Sequence, residues 1–126
     1  MSKEVRKIIS NAMTSLGLEY NFVEYVGASE RYWVGEVTET EGVTEDGLQE
    51  STFLLTGFSR GTWLELEEDR EKIENYFNRV SGLTVITDSG SGVAIFYAHS
   101  LVVPTGDAEL KKIQINLSVK EWKVTI

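Results

Sequence analysis

At 126 residues, with a net charge of −8 and a pI near 4.7, the chain has the size of one ordinary domain, burying roughly two thirds of the surface that its unfolded form exposes. The lack of cysteine excludes disulfides and thiolate zinc sites, and the acidity opposes the phosphate contacts on which non-specific nucleic-acid binding depends. No run approaches the roughly 18 apolar residues of a membrane helix, and Met1-Ser2-Lys3-Glu4 has no apolar signal-peptide core, so the expected site of folding is a reducing cytosol.

Ser2 is a candidate N-cap for a first helix carrying Val5, Ile8, Ile9, Ala12, Met13 and Leu16 on one stripe, with Gly17 as its stop. Residues 19–26, rich in Tyr, Phe and Val, read as extended. Residues 31–38 alternate as a strand, with Trp33 and Val37 on one face and Tyr32 and Val34 on the other. A second β-prone run covers Ser51 to Phe58. Between these runs, residues 39–50 carry Glu39, Glu41, Glu45, Asp46 and Glu50, no basic group, and the turn pair Asp46-Gly47. They predict a long hairpin with an acidic tip.

A second helix is predicted from about Leu66 to Val80, with Ile73, Tyr76, Phe77 and Val80 toward the core and Arg79 in its last turn. Gly82 would end it. Leu83 to Ile86 reads as a short strand, residues 88–92 as a turn and Val93 to Val103 as a long strand. Residues 104–107 turn into the last strand. There Ile113, Ile115, Leu117 and Val119 alternate with polar residues until the parity flips at Lys120-Glu121 and continues through Trp122, Val124 and Ile126. That flip predicts a β-bulge, in a chain that ends inside its own sheet. The expected fold is α+β: a mainly antiparallel or mixed sheet, two helices on one face, and a protruding hairpin.

Several constellations raise chemistry. Gly57-Phe58-Ser59-Arg60-Gly61 matches the nucleophile-elbow pattern, and Asp88 and His99 follow in hydrolase order. The elbow needs a helix straight after a parallel strand, whereas Thr62-Trp63-Leu64 intervenes before the helical period begins, and no oxyanion segment is present. His99, the sole histidine, rules out a multi-histidine metal site within the chain and reads as a partly buried structural residue on the face of Tyr97 and Leu101. The acidic segment lacks the spacing of a calcium loop, and Gly90-Ser91-Gly92 lacks the lysine of a phosphate loop. Asn116-Leu117-Ser118 matches a glycosylation triplet inside a strand. Trp33, Trp63 and Trp122 read as core or rim residues. No catalytic set, cofactor site or metal site is expected.

The order of elements resembles the tail-terminator (tail-completion) proteins of long-tailed bacteriophages and prophages. The resemblance lies in the helix of Val5, Ile8, Ile9, Ala12 and Leu16, the strand at residues 31–37 and the acidic hairpin. It continues through the strand at residues 51–58, the helix of Ile73, Tyr76 and Phe77, and the strand at residues 113–119. It covers nearly the whole chain and is one of pattern, without a diagnostic motif. It implies a structural role in virion assembly in the bacterial host cytoplasm, with the product in the virion tail and neck. Such a protein forms a ring, six-membered in the family, that caps the tail-tube protein, stops its growth and faces the head-tail connector or stopper. Six copies at −8 each would bring roughly −48 to one ring. In that setting Glu39, Glu41, Glu45, Asp46 and Glu50 are the expected partner-binding residues. The alternatives are a small-ligand or peptide-binding module, marked by a deep apolar pocket between sheet and helices, or another phage neck protein.

Overall fold

In the computed structural model, which describes residues 1–78 and 80–123, helix α1 spans Lys3–Ser15. Ser2 caps it by accepting the Val5 N–H at 3.3 Å. Its end follows from Gly17, whose φ of 73° lets the Leu18 N–H reach the Met13 carbonyl at 3.0 Å and the Gly17 N–H reach Thr14. Val5, Ile9, Ala12 and Met13 are buried on one face, as the stripe predicts.

Six strands follow from the alternating segments: β1 (Tyr20–Phe22), β2 (Arg31–Thr40), β3 (Leu48–Ser59), β4 (Leu83–Ile86), β5 (Gly92–Val102) and β6 (Lys111–Trp122). They form one sheet in the order β1-β2-β3-β6-β5-β4, parallel between β1 and β2 and antiparallel elsewhere. The odd-numbered residues of β3 and β6 face both helices: Phe53, Leu55, Ile113, Ile115, Leu117 and Val119 join Trp33 and the buried stripes of α1 and α2 in one core. Burying each such side chain contributes about 1.5–3 kcal/mol. The architecture is the expected α+β sheet with helices on one face.

Helix α2 (Trp63–Phe77) starts three residues earlier and ends three earlier than its apolar period suggests. Thr62 caps it, accepting the Glu65 N–H at 3.3 Å while its hydroxyl donates to the Glu65 carboxylate at 3.2 Å. The Thr-x-x-Glu spacing is that of a capping box, with the Glu65 carboxylate meeting the Thr62 hydroxyl. Asn78 stops it in place of Gly82. With φ at 51° its side-chain oxygen accepts the N–H groups of Val80 and Ser81, ending the helix before Val80 can turn inward. Val80 is consequently 89 % exposed and Tyr76 stands on the rim, so neither belongs to the core. Leu66 and Asp69 are buried instead, beside Ile73 and Phe77. Arg79 lies outside the described residues.

Two further expectations change. Residues 19–26 are extended only through β1, because Val23 turns the chain with a φ of 70°. Strand β6 carries no slip at Lys120-Glu121: Lys120 pairs with Glu50, Glu121 with Gln49 and Trp122 with Leu48 in unbroken register. Glu121 is 3 % exposed on the core side and Trp122 is 42 % exposed on the other. A carboxylate is accepted there because the Ser2 N–H at the N-terminal end of α1 donates to its Oε1 at 3.3 Å. Val124 and Ile126 lie outside the described residues. The bulges occur elsewhere, at Thr38 in β2 and at Ala98 in β5.

Candidate functional site

The predicted acidic hairpin is formed by β2 and β3. The Glu41 N–H bonds to the Glu50 carbonyl at 2.9 Å, and Thr44 and Leu48 close the loop at 2.9 Å. Its β3 arm is sheathed by β6 as far as Leu48, and the Lys123 N–H bonds to the Gly47 carbonyl at 2.8 Å, so the exposed part is the loop and the β2 side.

The Thr38 bulge decides where the carboxylates point. Val37 opposes Phe53 and Glu39 opposes Thr52, so the extra residue shifts Glu39 from the core-facing parity of Trp33 and Val37 to the opposite face. The Thr38 hydroxyl satisfies the Thr52 carbonyl at 3.3 Å. Glu39, Glu41 and Glu50 thereby gather around a shallow hollow of about 100 Å³ on the outer face. Glu45 and Asp46 stay apart from them at the exposed loop tip. Glu50 pairs with Lys120 at 3.8 Å.

The same outer face, the one without helices, carries a second feature that the sequence reading passes over. Tyr32 on β2 lies opposite Phe58 on β3, and their rings stack at 5.2 Å. Tyr25, folded back over the sheet by the turn at Val23, stacks on Tyr32 at 4.0 Å and 5°. Its hydroxyl accepts the Ser29 N–H at 2.9 Å. Lys112 Nζ sits 5.6 Å from the Phe58 ring centroid at the other end of the ladder. Together with Val34, Thr56 and Gln114 as floor and Glu24 and Glu36 as rim, these groups enclose a groove of about 410 Å³. Between the central strands and the helices the space expected to hold a binding module's pocket is filled by the core side chains, and on that side a hollow of about 560 Å³ lies at the margin, between α1 and β4; the aromatic groove is on the opposite face. The available signal was the presence of aromatic residues at outward parity, Tyr32 and Phe58, where a solvated strand face carries polar ones.

The elbow-like motif has a structural explanation. Gly57 faces Trp33 across the ladder, and a Cβ there would meet the indole at 2.6 Å. Ser59, 1 % exposed, accepts the Gly61 N–H at 3.0 Å in the turn leading to the Thr62 cap. Helix α2 does begin close behind the motif, but β3 is antiparallel to both of its neighbours. The Ala98 bulge separates His99 from Tyr97, correcting the expectation of a shared face and of partial burial: His99 is exposed on the outer face, 3.1 Å from the Asn116 side chain. Ser59 pairs with Lys111 and His99 with Asn116, five positions apart along β6, or about 17 Å, on opposite faces. Asp88 is exposed in the β4–β5 turn. The three do not form a triad.

A buried charge lies on the helical side. Asp69, 2 % exposed, accepts from Trp33 Nε1 at 3.4 Å and pairs with Arg31 Nε at 3.1 Å, while Arg31 also bonds Glu65. Burial pushes the Asp69 carboxyl above its ordinary range, outweighing the pull of Arg31 and of the indole N–H. The cluster ties the start of β2 to α2. Among the described residues no group of His, Asp and Glu side chains gathers as metal ligands, and no helix is long and apolar enough to cross a membrane.

No protein-family model matches this chain, and no curated protein matches it.

Proposed function

We propose that this chain is a structural assembly protein of long-tailed phages: a terminator that rings the end of the tail tube, stops its growth and joins it to the head-side connector or stopper. The observation that supports this reading is the order of elements around the hairpin. An amphipathic helix is followed by a strand and then by an acid-tipped hairpin leading into a capped second helix. The remaining antiparallel strands complete one helix-backed sheet. The acidic groups serve docking in this reading because an exposed loop at a sheet's end reaches a partner without disturbing the core. The alternative, a small-ligand or peptide-binding module, is favoured by the outer groove.

The test is electron microscopy of tube polymerisation, using the tail-tube subunit encoded in the same genome, with and without this protein. Tubes of limited length bearing a ring of density at one end are expected. Tubes that grow unchanged and uncapped would remove the terminator function. Reversing the charges of Glu39, Glu41, Glu45, Asp46 and Glu50 should abolish capping while leaving the fold intact, and undiminished capping would remove the hairpin from the account.

A further inference from the structure

Both helices lie on one face of the sheet, and the opposite face of β2 and β3 carries two hollows in line: the aromatic groove and the acidic hollow beyond it. They are joined by Glu36, which rims the first, and by Glu39, which the Thr38 bulge turns toward the second. Of the charged groups along this line, Glu50 pairs with Lys120, and the Lys112 ammonium lies over the Phe58 ring. Glu24, Glu36, Glu39 and Glu41 have no salt-bridge partner within 4.0 Å among the described residues. The groove's rim is held by Val23, a β-branched residue in the left-handed region, whose N–H still bonds the Gly35 carbonyl at 2.8 Å. Conformations of this kind persist where the surroundings impose them, and they cluster at binding sites. Here the turn carries Tyr25 onto the stack.

We propose that this uncovered face is the docking surface for a basic, extended segment of a partner protein, with arginine or lysine at alternate residues and one arginine seated in the groove. The inference rests on the assembly function above and specifies its partner chemistry. Alternate side chains of an extended segment lie about 7 Å apart, the repeat at which outward-facing residues succeed one another along β2. A guanidinium in the groove would stack on an aromatic face while hydrogen-bonding Glu24 or Glu36, a pairing of roles that suits arginine better than lysine. Unneutralised carboxylates exclude a phosphate backbone from the same surface.

The experiment is a backbone-amide NMR titration of the full chain with a synthetic peptide alternating arginine and valine, and with its glutamate-for-arginine counterpart. The arginine peptide should shift the amides of Tyr32, Val34, Glu36 and Thr56, leave those of Val5, Ile9 and Met13 in place, and bind more weakly as salt rises. A variant with Glu36→Lys and Glu39→Lys, both exposed positions, should bind it about tenfold more weakly and gain the glutamate peptide. Equal shifts from both peptides, shifts confined to other surfaces, or binding indifferent to the charge reversal would overturn the proposal. So would concentration-dependent broadening of the same amides without peptide, which would make the occupant a second copy. In the tube assay, capping by the reversed variant equal to that of the wild type would overturn the docking surface and leave the terminator function standing. Failure of the wild type to cap, with the titration behaving as expected, would remove the terminator function and leave the docking surface.

Discussion

Gly57→Ala isolates the contact that explains the elbow-like motif. The added Cβ would stand 2.6 Å from ring carbons of Trp33, well inside contact distance. The indole cannot retreat, because it is fully buried and its Nε1 is held by Asp69 at 3.4 Å. Overpacking of this kind costs about 1–3 kcal/mol, and exchanging glycine for alanine within a strand returns about 0.5–1 kcal/mol. The net loss should be about 1–2 kcal/mol, a fall in Tm of roughly 4–8 °C for a chain of this size. Gly42→Ala is the control, since a Cβ there meets nothing within 4 Å. Urea unfolding followed by far-UV circular dichroism, with the slope m compared across variants, measures both. Combining Gly57→Ala with Trp33→Phe should cost less than the sum of the two changes, because the smaller ring makes room. A Gly57→Ala protein as stable as Gly42→Ala, or strictly additive with Trp33→Phe, would refute the packing argument.

Three further outcomes are expected. Asp69→Ala should cost about 1–3 kcal/mol by leaving the buried Trp33 N–H without its acceptor, and Asp69→Asn should cost less. Because the folded Asp69 carboxyl titrates above its ordinary value of 3.8, its ionisation opposes folding. Stability relative to Asp69→Asn should therefore be greatest below that value and decline as pH rises through the folded pKa; parallel curves of urea midpoint against pH would contradict this. Val23→Gly should stabilise by about 0.5–1 kcal/mol, the relief of left-handed strain exceeding the entropy cost of glycine, while Val26→Gly should destabilise; equal losses in thermal melts would show that Val23 is unstrained. Finally, Trp122→Ser should cost less than about 1 kcal/mol and Ile115→Ala about 2–5 kcal/mol, so comparable losses on unfolding would reinstate the parity flip in β6.

What could be read from the residues was what a regular period encodes. The α1 stripe, the alternation of β2, β3 and β6 and the β5–β6 hairpin all lie where the apolar spacing puts them. The departures come from single residues that spacing does not register. Thr62 and Asn78 set the ends of α2 through side-chain hydrogen bonds; Thr62-Trp63-Leu64-Glu65 carried a visible capping signal, whereas Asn78 did not. Bulges at Thr38 and Ala98 reverse the facing of Glu39 and His99, and no local feature announces a bulge. Glu121 is buried because the start of α1, more than a hundred residues away, meets it. The acidic candidates were readable as a cluster, but their division between the outer face and the loop tip was not. The aromatic ladder depends on a partner, Tyr25, that a turn delivers from outside the sheet.

The place of β6 has a consequence for how the protein is made. The strand joins β3 to β5 at the middle of the sheet, although it is the last of the six to be synthesised. Until residues 111–122 emerge from the ribosome, β3 keeps an open edge along its length, and β5 and β4 have nothing to join. At about 5–20 residues per second that interval lasts seconds, longer than local helices need to form. The nascent chain therefore waits with the edge of β3 unpaired, and its safety against aggregation rests on the charge of the segment already made, in which residues 39–50 are acidic without one basic group. The carboxylates of the hairpin thus act as a solubility guard during the birth of the chain.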